Sequence, residues 1–212
     1  EDGIDALEQI KDKEPDVVII NTCTVTSQSD AKSRKLIRSK KEENPNAIIV
    51  VMGCYSQLDP TTITDKIGAD IVIGTNNRKK IYDLILEFIN KKEQINLVED
   101  SKNYKEFEEL CLNKLSLHTR GFIKIQDGCE NFCSYCAIPY SRGPIKSRNP
   151  ESVINEVKQL VTSGVKEIIL SGINTGTYGK DLGNITLAHL IERIINEVPT
   201  LYRLRLSSIE LM

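Results

Sequence analysis

The order of apolar runs and helical patterns along the chain limits its fold more than any other feature. In the first half, short runs of buried-strand type at residues 16–21, 47–52 and 70–73 alternate with segments that carry apolar residues at helical spacing. The helical patterns lie at 4–11, 29–43, 60–66 and 78–91. Strands that alternate with helices predict a parallel sheet with helices on its faces.

The alternation resumes in the second half. Strand patterns at 122–126, 166–171 and 201–206 are separated by helical patterns at 150–161 and 187–195. This βαβαβ order begins a (β/α) barrel without closing one, since a full barrel takes about eight strands and about 250 residues. We therefore predict an α/β fold with an N-terminal parallel-sheet α/β domain at 1–92 and the first part of a partial (β/α) barrel at 119–212. The acidic segment 93–118, which has no clear period, is predicted to be a linker.

Three of the six cysteines lie close together after the strand pattern at 122–126. Cys129, Cys133 and Cys136 form a Cys-x3-Cys-x2-Cys loop. Three thiolates at this spacing can bind three irons of a four-iron cluster and leave the fourth iron open for substrate. Structural zinc sites use paired Cys-x2-Cys units, and His118 and His189 are distant in sequence, so zinc is the weaker interpretation.

Two further cysteines follow predicted strands directly. Cys23 comes just after the first strand pattern and Cys54 just after the second. The carboxyl ends of parallel strands form one edge of a sheet, where open α/β folds place their ligands. We expect the two thiols to be neighbours there, either as metal ligands or as ordinary buried cysteines. Cys111, in the predicted linker, has no partner motif and is interpreted as a packed or solvent-side thiol.

The composition favours a soluble globular protein. The chain has 212 residues, of which 40% are hydrophobic, and a formal net charge of −2. No run approaches the roughly 18 apolar residues that a membrane span needs, and no signal peptide is visible. Six cysteines beside an iron–sulfur motif favour a reducing compartment, so we expect a cytoplasmic protein without disulfides and without membrane association.

Positive charge is concentrated locally, in two clusters that are candidates for contacts with nucleic-acid phosphates. One lies in the helical pattern at 29–43, where a solvated helix face is the alternative, and the other lies in a turn-rich loop, interpreted as mobile, after the cysteines. The residues are Lys32, Arg34, Lys35 and Arg38 in the helix, and Arg142, Lys146 and Arg148 in the loop.

With Tyr135 in the aromatic place, the cysteine loop resembles the Cys-x3-Cys-x-aromatic-Cys signature of the radical S-adenosylmethionine (SAM) enzymes. Further motifs resemble one branch of them, the radical SAM methylthiotransferases. These motifs are spread over nearly the whole chain, at 21–26, 32–34, 37–38, 53–55, 128–136, 142–143, 147–148, 172–176 and 207–210. The Asn-Thr-Cys-Thr-Val-Thr run at 21–26 favours the branch that acts on threonylcarbamoyladenosine in tRNA.

The resemblance implies SAM and two four-iron clusters as cofactors. It assigns Cys129, Cys133 and Cys136 to the cluster that binds SAM, and it assigns Cys23 and Cys54 to an auxiliary cluster. The family's first auxiliary cysteine belongs to a Leu-Gly-Cys stretch that would precede Glu1. The chain is therefore expected to be a fragment that also lacks the later barrel strands and a C-terminal RNA-binding domain, and that is inactive alone, with at most one cluster's worth of iron.

The family's reaction adds a methylthio group to C2 of the modified adenosine beside the anticodon. One SAM supplies the methyl group and a second yields the radical that activates the base. The implied partners are tRNA, SAM and an electron donor such as flavodoxin or ferredoxin, and no residue beyond the cluster ligands is assigned to catalysis.

Four residues are predicted to contact SAM: Tyr135, Gly172, Asn174 and Glu210. Glycine permits close approach of backbone to a ligand, which is the reason for Gly172. Asn174 and Glu210 lie at predicted strand ends, where their side chains can form hydrogen bonds to the methionine or ribose groups. A capping asparagine and a surface glutamate are the alternative for these two positions.

Two alternatives to this function remain open. One is a methylthiotransferase with another substrate, either isopentenyl-adenosine in tRNA or an aspartate in a ribosomal protein. The other is an iron–sulfur electron-transfer or scaffold protein that does not cleave SAM. Release of 5′-deoxyadenosine from SAM distinguishes the enzyme from the electron carrier.

Overall fold

The computed structural model describes residues 14–24, 26–110, 119–207 and 209. It divides the chain into two compact units, with the boundary between Glu99 and Asp100. The predicted helix at 4–11, Cys111, His118 and the candidate SAM contact Glu210 lie outside the described residues.

The first unit contains a four-stranded parallel sheet whose strands follow chain order. The strands are β1 (Val17–Thr22), β2 (Ile48–Gly53), β3 (Ile71–Ile73) and β4 (Ile95–Leu97). The first three coincide with the predicted strand patterns. The fourth lies in the segment predicted to be a linker, because three residues are too few to show a period of two.

Helices cover both faces of this sheet: α1 (Ser27–Glu43), α2 (Cys54–Leu58) and α3 (Ile81–Lys91), with a π-type turn at Thr62–Ile67. Ile49 and Val51 face the core that contains Ile37 of α1, whereas Val50 faces the core that contains Leu84 of α3. Successive side chains of a strand point to opposite faces, so this continuous apolar run fills two layers, as expected of a parallel sheet.

Helix α1 begins two residues earlier than its apolar pattern predicts, because Thr26 caps it. The Thr26 side chain accepts a hydrogen bond from the Ser29 N–H at 3.1 Å, which satisfies one of the free donors of the first turn. The helix ends with Lys40 and Lys41, whose charges suit the negative end of the helix dipole.

The second unit contains a three-stranded parallel sheet and a short antiparallel pair. In chain order the strands are β5 (Arg120–Lys124), β6 (Gln126–Asp127), β7 (Lys146–Ser147), β8 (Glu167–Ser171) and β9 (Arg203–Leu206), with β5-β8-β9 parallel and β6 paired with β7. The helices are α4 (Ile138–Arg142), α5 (Pro150–Thr162) and α6 (Leu187–Glu197). The predicted βαβαβ order is confirmed. Helix α4 and strand β7 occupy the loop after the cysteines that was expected to be mobile, and β6 lies at the end of the strand pattern at 122–126.

The main core of this unit lies between the parallel sheet and helices α5 and α6. Val157 and Leu160 of α5 and Leu190 of α6 pack with Ile123 and Ile168 of the sheet, and all five are fully buried. The Asn149 side chain accepts from the Glu151 N–H at 2.8 Å and Pro150 occupies the first turn, so α5 starts where the sequence predicted. Among the described residues, no helix is long and apolar enough to cross a membrane.

Candidate functional site

The cysteine loop (residues 128–136) leaves β6 and returns through α4. Cys129 and Cys136 are half-buried and Cys133 is exposed, and all three are free thiols. The Cys129 N–H donates to the Gly143 oxygen at 3.1 Å, and the Cys136 N–H donates to the Cys133 oxygen at 2.9 Å. The loop is thus tied to the end of α4 while its thiols stay accessible.

Gly128 at the start of the cysteine loop allows a close crossing of two backbone segments. Its φ of +72° lies in the left-handed region, and a Cβ at this position would lie 1.8 Å from the backbone oxygen of Pro144. Only glycine fits such an approach. The crossing fixes the entry of the cysteine loop against the segment that returns from α4.

Asp127, the residue before Gly128, has a buried carboxylate. Its oxygens accept from Lys124 Nζ at 2.6 Å, from Arg142 Nη1 at 3.1 Å and from the Gly128 N–H at 2.9 Å. Burial acts to raise the pKa of Asp127, but the positive charges of Lys124, Arg142 and Lys146 lower it below its ordinary value. The carboxylate therefore stays ionised and anchors the first residue of the cysteine loop.

Gln126 is fully buried beside Asp127 and contacts a second loop. Its Nε2 donates to the backbone oxygens of Asp127 and Gly128, at 2.8 and 2.7 Å. Its Oε1 accepts from the N–H groups of Ile173 and Asn174, both at 2.9 Å. The second loop, residues 172–179, follows β8 and is called the Asn174 loop below. Gln126 and Asp127 were not among the predicted site residues, because in the sequence they are only the polar end of an apolar strand pattern.

Asn174 is predicted to contact SAM, and its side chain is 1% exposed. Neither its Oδ1 nor its Nδ2 has a hydrogen-bond partner in the described structure. An unpartnered buried polar group costs about 1–3 kcal/mol, so this amide is suited to a ligand that supplies a donor and an acceptor.

The other candidate SAM contacts are placed differently. A Cβ at Gly172 would lie 3.0 Å from the Gln126 side chain, so the close approach at this glycine is to protein. Tyr135 is 88% exposed. Their contacts with SAM stay predictions, as does that of Glu210.

The basic groups of the loop after the cysteines point inward, which differs from the expectation of phosphate contacts. Lys146 is buried and donates to the Arg142 oxygen, and Arg142 pairs with Asp127. Arg148 is 2% exposed and forms ion pairs with Glu109, at 2.9 Å, and with Glu156.

The ion pairs of Arg148 explain why it lies in the interior. Burial acts to lower the pKa of Arg148, but its hydrogen bond to Glu156 and the charges of Glu156 and Glu109 raise it, so the guanidinium stays charged. Both carboxylates come from segments that the sequence pattern did not connect with this loop. In the described structure, these three basic residues stabilise the fold around the cysteine loop.

Cys23 and Cys54 lie at the same edge of the sheet in the first unit. The register pairs Thr22 with Gly53, the last residues of β1 and β2, and each cysteine directly follows its strand. Cys23 is exposed and Cys54 is buried. Gly53 has a φ of +111°, and a Cβ there would lie 2.3 Å from the Thr22 oxygen, so glycine is needed for the turn that places Cys54 at the start of α2.

Consecutive residues of α1 contact both cysteine turns. The Ser33 hydroxyl donates to the Cys23 oxygen at 3.3 Å. Arg34 Nη1 donates to the Tyr55 hydroxyl at 3.2 Å, and the guanidinium lies 5.7 Å from the centre of the Tyr55 ring. Tyr55 follows Cys54 directly, so one helix turn stabilises the surroundings of both thiols.

Three further basic residues of α1 face solvent. Lys32, Lys35 and Arg38 are exposed. An open groove of about 540 Å³ runs along this face and is lined by Ala31, Arg34, Lys35, Arg38, Ser39 and Glu42. The groove carries the positive groups of Arg34, Lys35 and Arg38 and the carboxylate of Glu42, and contact of this cluster with phosphates stays a prediction.

The cysteine loop fits an iron–sulfur cluster by the chemistry of its donors. Its three thiols are the ligands that such clusters use, and its surface position leaves them accessible for assembly. Within the described parts of the chain, no three or more His, Cys, Asp or Glu side chains lie together as ligands of a metal ion, so the fit is one of donor type and sequence spacing.

Two protein-family models match separate parts of this chain. Residues 2–74 match the model of "Uncharacterized protein family UPF0004", and residues 123–210 match that of the radical SAM superfamily. The threonylcarbamoyladenosine tRNA methylthiotransferase MtaB of Bacillus subtilis is 44% identical over 92% of this chain and 43% of that protein. The MtaB of Thermotoga maritima is 39% identical over 90% of this chain and 43% of its own length.

A relative with another name is also similar. The tRNA-2-methylthio-N(6)-dimethylallyladenosine synthase of Thermoanaerobacter sp. is 39% identical over 91% of this chain and 42% of that protein. The chain therefore spans less than half the length of each of these three curated relatives.

A solved structure shows the same fold. The radical SAM methyltransferase TsrM of Kitasatospora setae, with cobalamin and a [4Fe-4S] cluster bound, has a TM-score of 0.59 at 15% identity, over 90% of this chain and 42% of that one. The mixed α/β architecture with parallel sheets is thus that of a partial radical SAM fold.

We predict that Asp127→Asn lowers the free energy of unfolding at pH 7 by on the order of 2 kcal/mol, because the buried ion pairs lose their carboxylate. The folded-state pKa of Asp127 is lowered, so its contribution is present above the unfolded-state pKa of about 3.9 and is lost as the pH falls through the folded-state pKa. Urea unfolding between pH 7 and pH 3 measures this difference. Glu192→Gln, at an exposed carboxylate of α6, is the control. A difference between wild type and Asp127→Asn that does not change with pH contradicts the assignment.

Proposed function

We propose, from the membership of this chain in the radical SAM methylthiotransferase family, that it acts as a tRNA methylthiotransferase that modifies N6-threonylcarbamoyladenosine next to the anticodon. The observation that carries this proposal is the loop of three accessible thiols, anchored on Asp127 and joined through Gln126 to a buried asparagine without partners. The similarity to the MtaB proteins of Bacillus subtilis, at 44% identity, and of Thermotoga maritima, at 39%, supports this substrate.

Cys129, Cys133 and Cys136 would hold a four-iron cluster that binds SAM. When bound, this cluster supplies the electron that cleaves SAM. The chain's own residues position the reactants. Asp127 and Gly128 fix the entry of the cysteine loop, and the Asn174 amide would donate to and accept from the polar groups of SAM, for which Tyr135, Gly172 and Glu210 are further candidates.

Cys23 and Cys54 would hold the auxiliary cluster at the sheet edge of the first unit. The open edge beyond parallel strands is where such folds bind ligands. Ser33 and Arg34 stabilise the two turns that carry these thiols.

The solvent face of α1 is the proposed contact for the tRNA backbone. Lys32, Lys35 and Arg38 are exposed on it, and Arg34 adds a positive charge to the same groove. Clustered lysine and arginine bind phosphates without reading sequence, so this face would orient tRNA and leave the choice of base to the reaction site. An electron donor such as flavodoxin or ferredoxin and a cytoplasmic location complete the proposal.

A second candidate is the same reaction on dimethylallyladenosine, the nucleoside in the name of the Thermoanaerobacter relative that is 39% identical. The two candidates share the cysteine loop and its chemistry. They differ in the tRNA nucleoside that gains the methylthio group.

We predict that Cys133→Ala abolishes cleavage of SAM, because the cluster loses one of its three protein ligands. The enzyme is expressed from its complete gene, reconstituted anaerobically with iron and sulfide, and incubated with SAM and dithionite, and 5′-deoxyadenosine is quantified. Cys111→Ala, a cysteine outside the motif, is the matched control and should retain wild-type release. Release at the wild-type rate by Cys133→Ala would refute the ligand assignment, and absence of release by the wild type would favour a non-enzymatic role.

We predict that replacing Lys32, Lys35 and Arg38 together by Gln weakens tRNA binding and reduces its salt dependence. Removal of one phosphate contact should reduce the magnitude of the slope of log K against log salt by about 0.7–0.9, so removal of three should reduce it by roughly 2 to 3. Titration of tRNA at several salt concentrations measures the slope. Lys66→Gln with Lys166→Gln, at exposed lysines elsewhere, is the control. An unchanged slope would leave this side of α1 as a solvated helix face.

A further inference from the structure

One buried glutamine side chain connects the two loops proposed to bind the cluster and SAM. Gln126 lies under both the cysteine loop and the Asn174 loop and is fully buried. A glutamine amide offers two donor hydrogens and one oxygen with two lone pairs. All four are used, the donors on one loop and the acceptor on the other.

The NH2 group of the Gln126 amide binds the backbone at the start of the cysteine loop. Nε2 contacts the backbone oxygens of Asp127 and Gly128, which directly precede Cys129. The Gly128 N–H is in turn held by the Asp127 carboxylate. If the backbone of the cysteine loop shifts, these hydrogen bonds therefore change the position of the Gln126 amide group.

The acceptor side of the amide holds the Asn174 loop. Oε1 accepts from two consecutive N–H groups, those of Ile173 and Asn174, which fixes the orientation of both peptide units. Gly172 has no side chain, so this loop can pack directly on Gln126. The Asn174 amide, buried and without partners, is the group whose position depends on this contact.

We propose that Gln126 is a positioning residue that couples cluster binding in the cysteine loop to SAM binding at Asn174. The proposal rests on the proposed function. When the cysteine loop is ordered around a cluster, its backbone oxygens fix the orientation of the Gln126 amide. The amide oxygen in turn fixes the backbone of Asn174 in the position that binds SAM. Because such coupling is reciprocal, bound SAM also stabilises the cluster.

Two variants separate the two sides of the amide. Gln126→Glu keeps an oxygen that can accept from Ile173 and Asn174, but it loses the donors and sets a carboxylate oxygen against two carbonyl oxygens. Gln126→Met keeps the length of the side chain and removes all four hydrogen bonds. Ile194→Val, in the core of the same unit, is the control for a loss of stability alone.

Hydrogen exchange at the amides of Ile173 and Asn174 measures the coupling, in enzyme from the complete gene with and without reconstituted iron and sulfide. In the wild type and in Ile194→Val, iron loading should slow this exchange. In Gln126→Glu the exchange should no longer respond to iron, and the dissociation constant of SAM for the iron-loaded enzyme should rise at least about fivefold, the lower end of typical coupling. Gln126→Met should show both effects.

This inference would be overturned if iron loading still slows exchange at Ile173 and Asn174 in Gln126→Glu and this variant binds SAM with the wild-type dissociation constant. That outcome counts whether or not Gln126→Met folds. A wild-type enzyme that binds neither iron nor SAM would overturn the proposed function and this inference with it. Normal iron and SAM binding by the wild type together with unresponsive exchange in Gln126→Glu would support both.

Discussion

The rest of the site in the second unit depends on the ion pairs and the hydrogen bond that the ionised Asp127 carboxylate forms. A buried charge is tolerated only when it is paired and hydrogen-bonded, and Lys124, Arg142 and the Gly128 N–H supply these partners. Because Arg142 ends α4 and Gly128 begins the cysteine loop, the same carboxylate joins both ends of the segment that carries the three thiols. The neighbouring Gln126 extends this buried polar group to the Asn174 loop.

Both units place cysteines just beyond the carboxyl ends of strands and stabilise the cysteine turns with polar groups from elsewhere in the same unit. In the first unit, Ser33 and Arg34 of α1 contact the turns of Cys23 and Cys54. Neither of these hydrogen bonds is strong by itself. Together with the glycine turn at Gly53, they hold the Cys23 carbonyl and the residues on either side of Cys54, so the position of both cysteines follows from the fold.

The sequence predicted the regular elements well where apolar runs were long enough to show a period. It failed at β4, at α4 and at the β6–β7 pair, which have two to five residues and derive their stability from neighbours in the fold. The positions of Cys23 and Cys54 at one sheet edge followed from the strand order alone.

The polar interior was less accessible to sequence analysis. Arg148 belongs to a basic run and was expected at the surface, but its carboxylate partners Glu109 and Glu156 come from other segments, and only the fold brings them together. Gln126 and Asp127 were missed for the same reason, since nothing in a single strand pattern shows which polar residues will find buried partners. Asn174 was selected by resemblance, and its lack of partners became visible only in the structure.

The most direct test of the proposed function is mass spectrometry of tRNA nucleosides from a strain that lacks the gene. We expect that N6-threonylcarbamoyladenosine without the methylthio group accumulates, that the wild-type gene restores the 2-methylthio derivative, and that the Cys133→Ala gene does not. Restoration by Cys133→Ala, or a loss of methylthio from dimethylallyladenosine with the threonylcarbamoyl derivative unaffected, would contradict it.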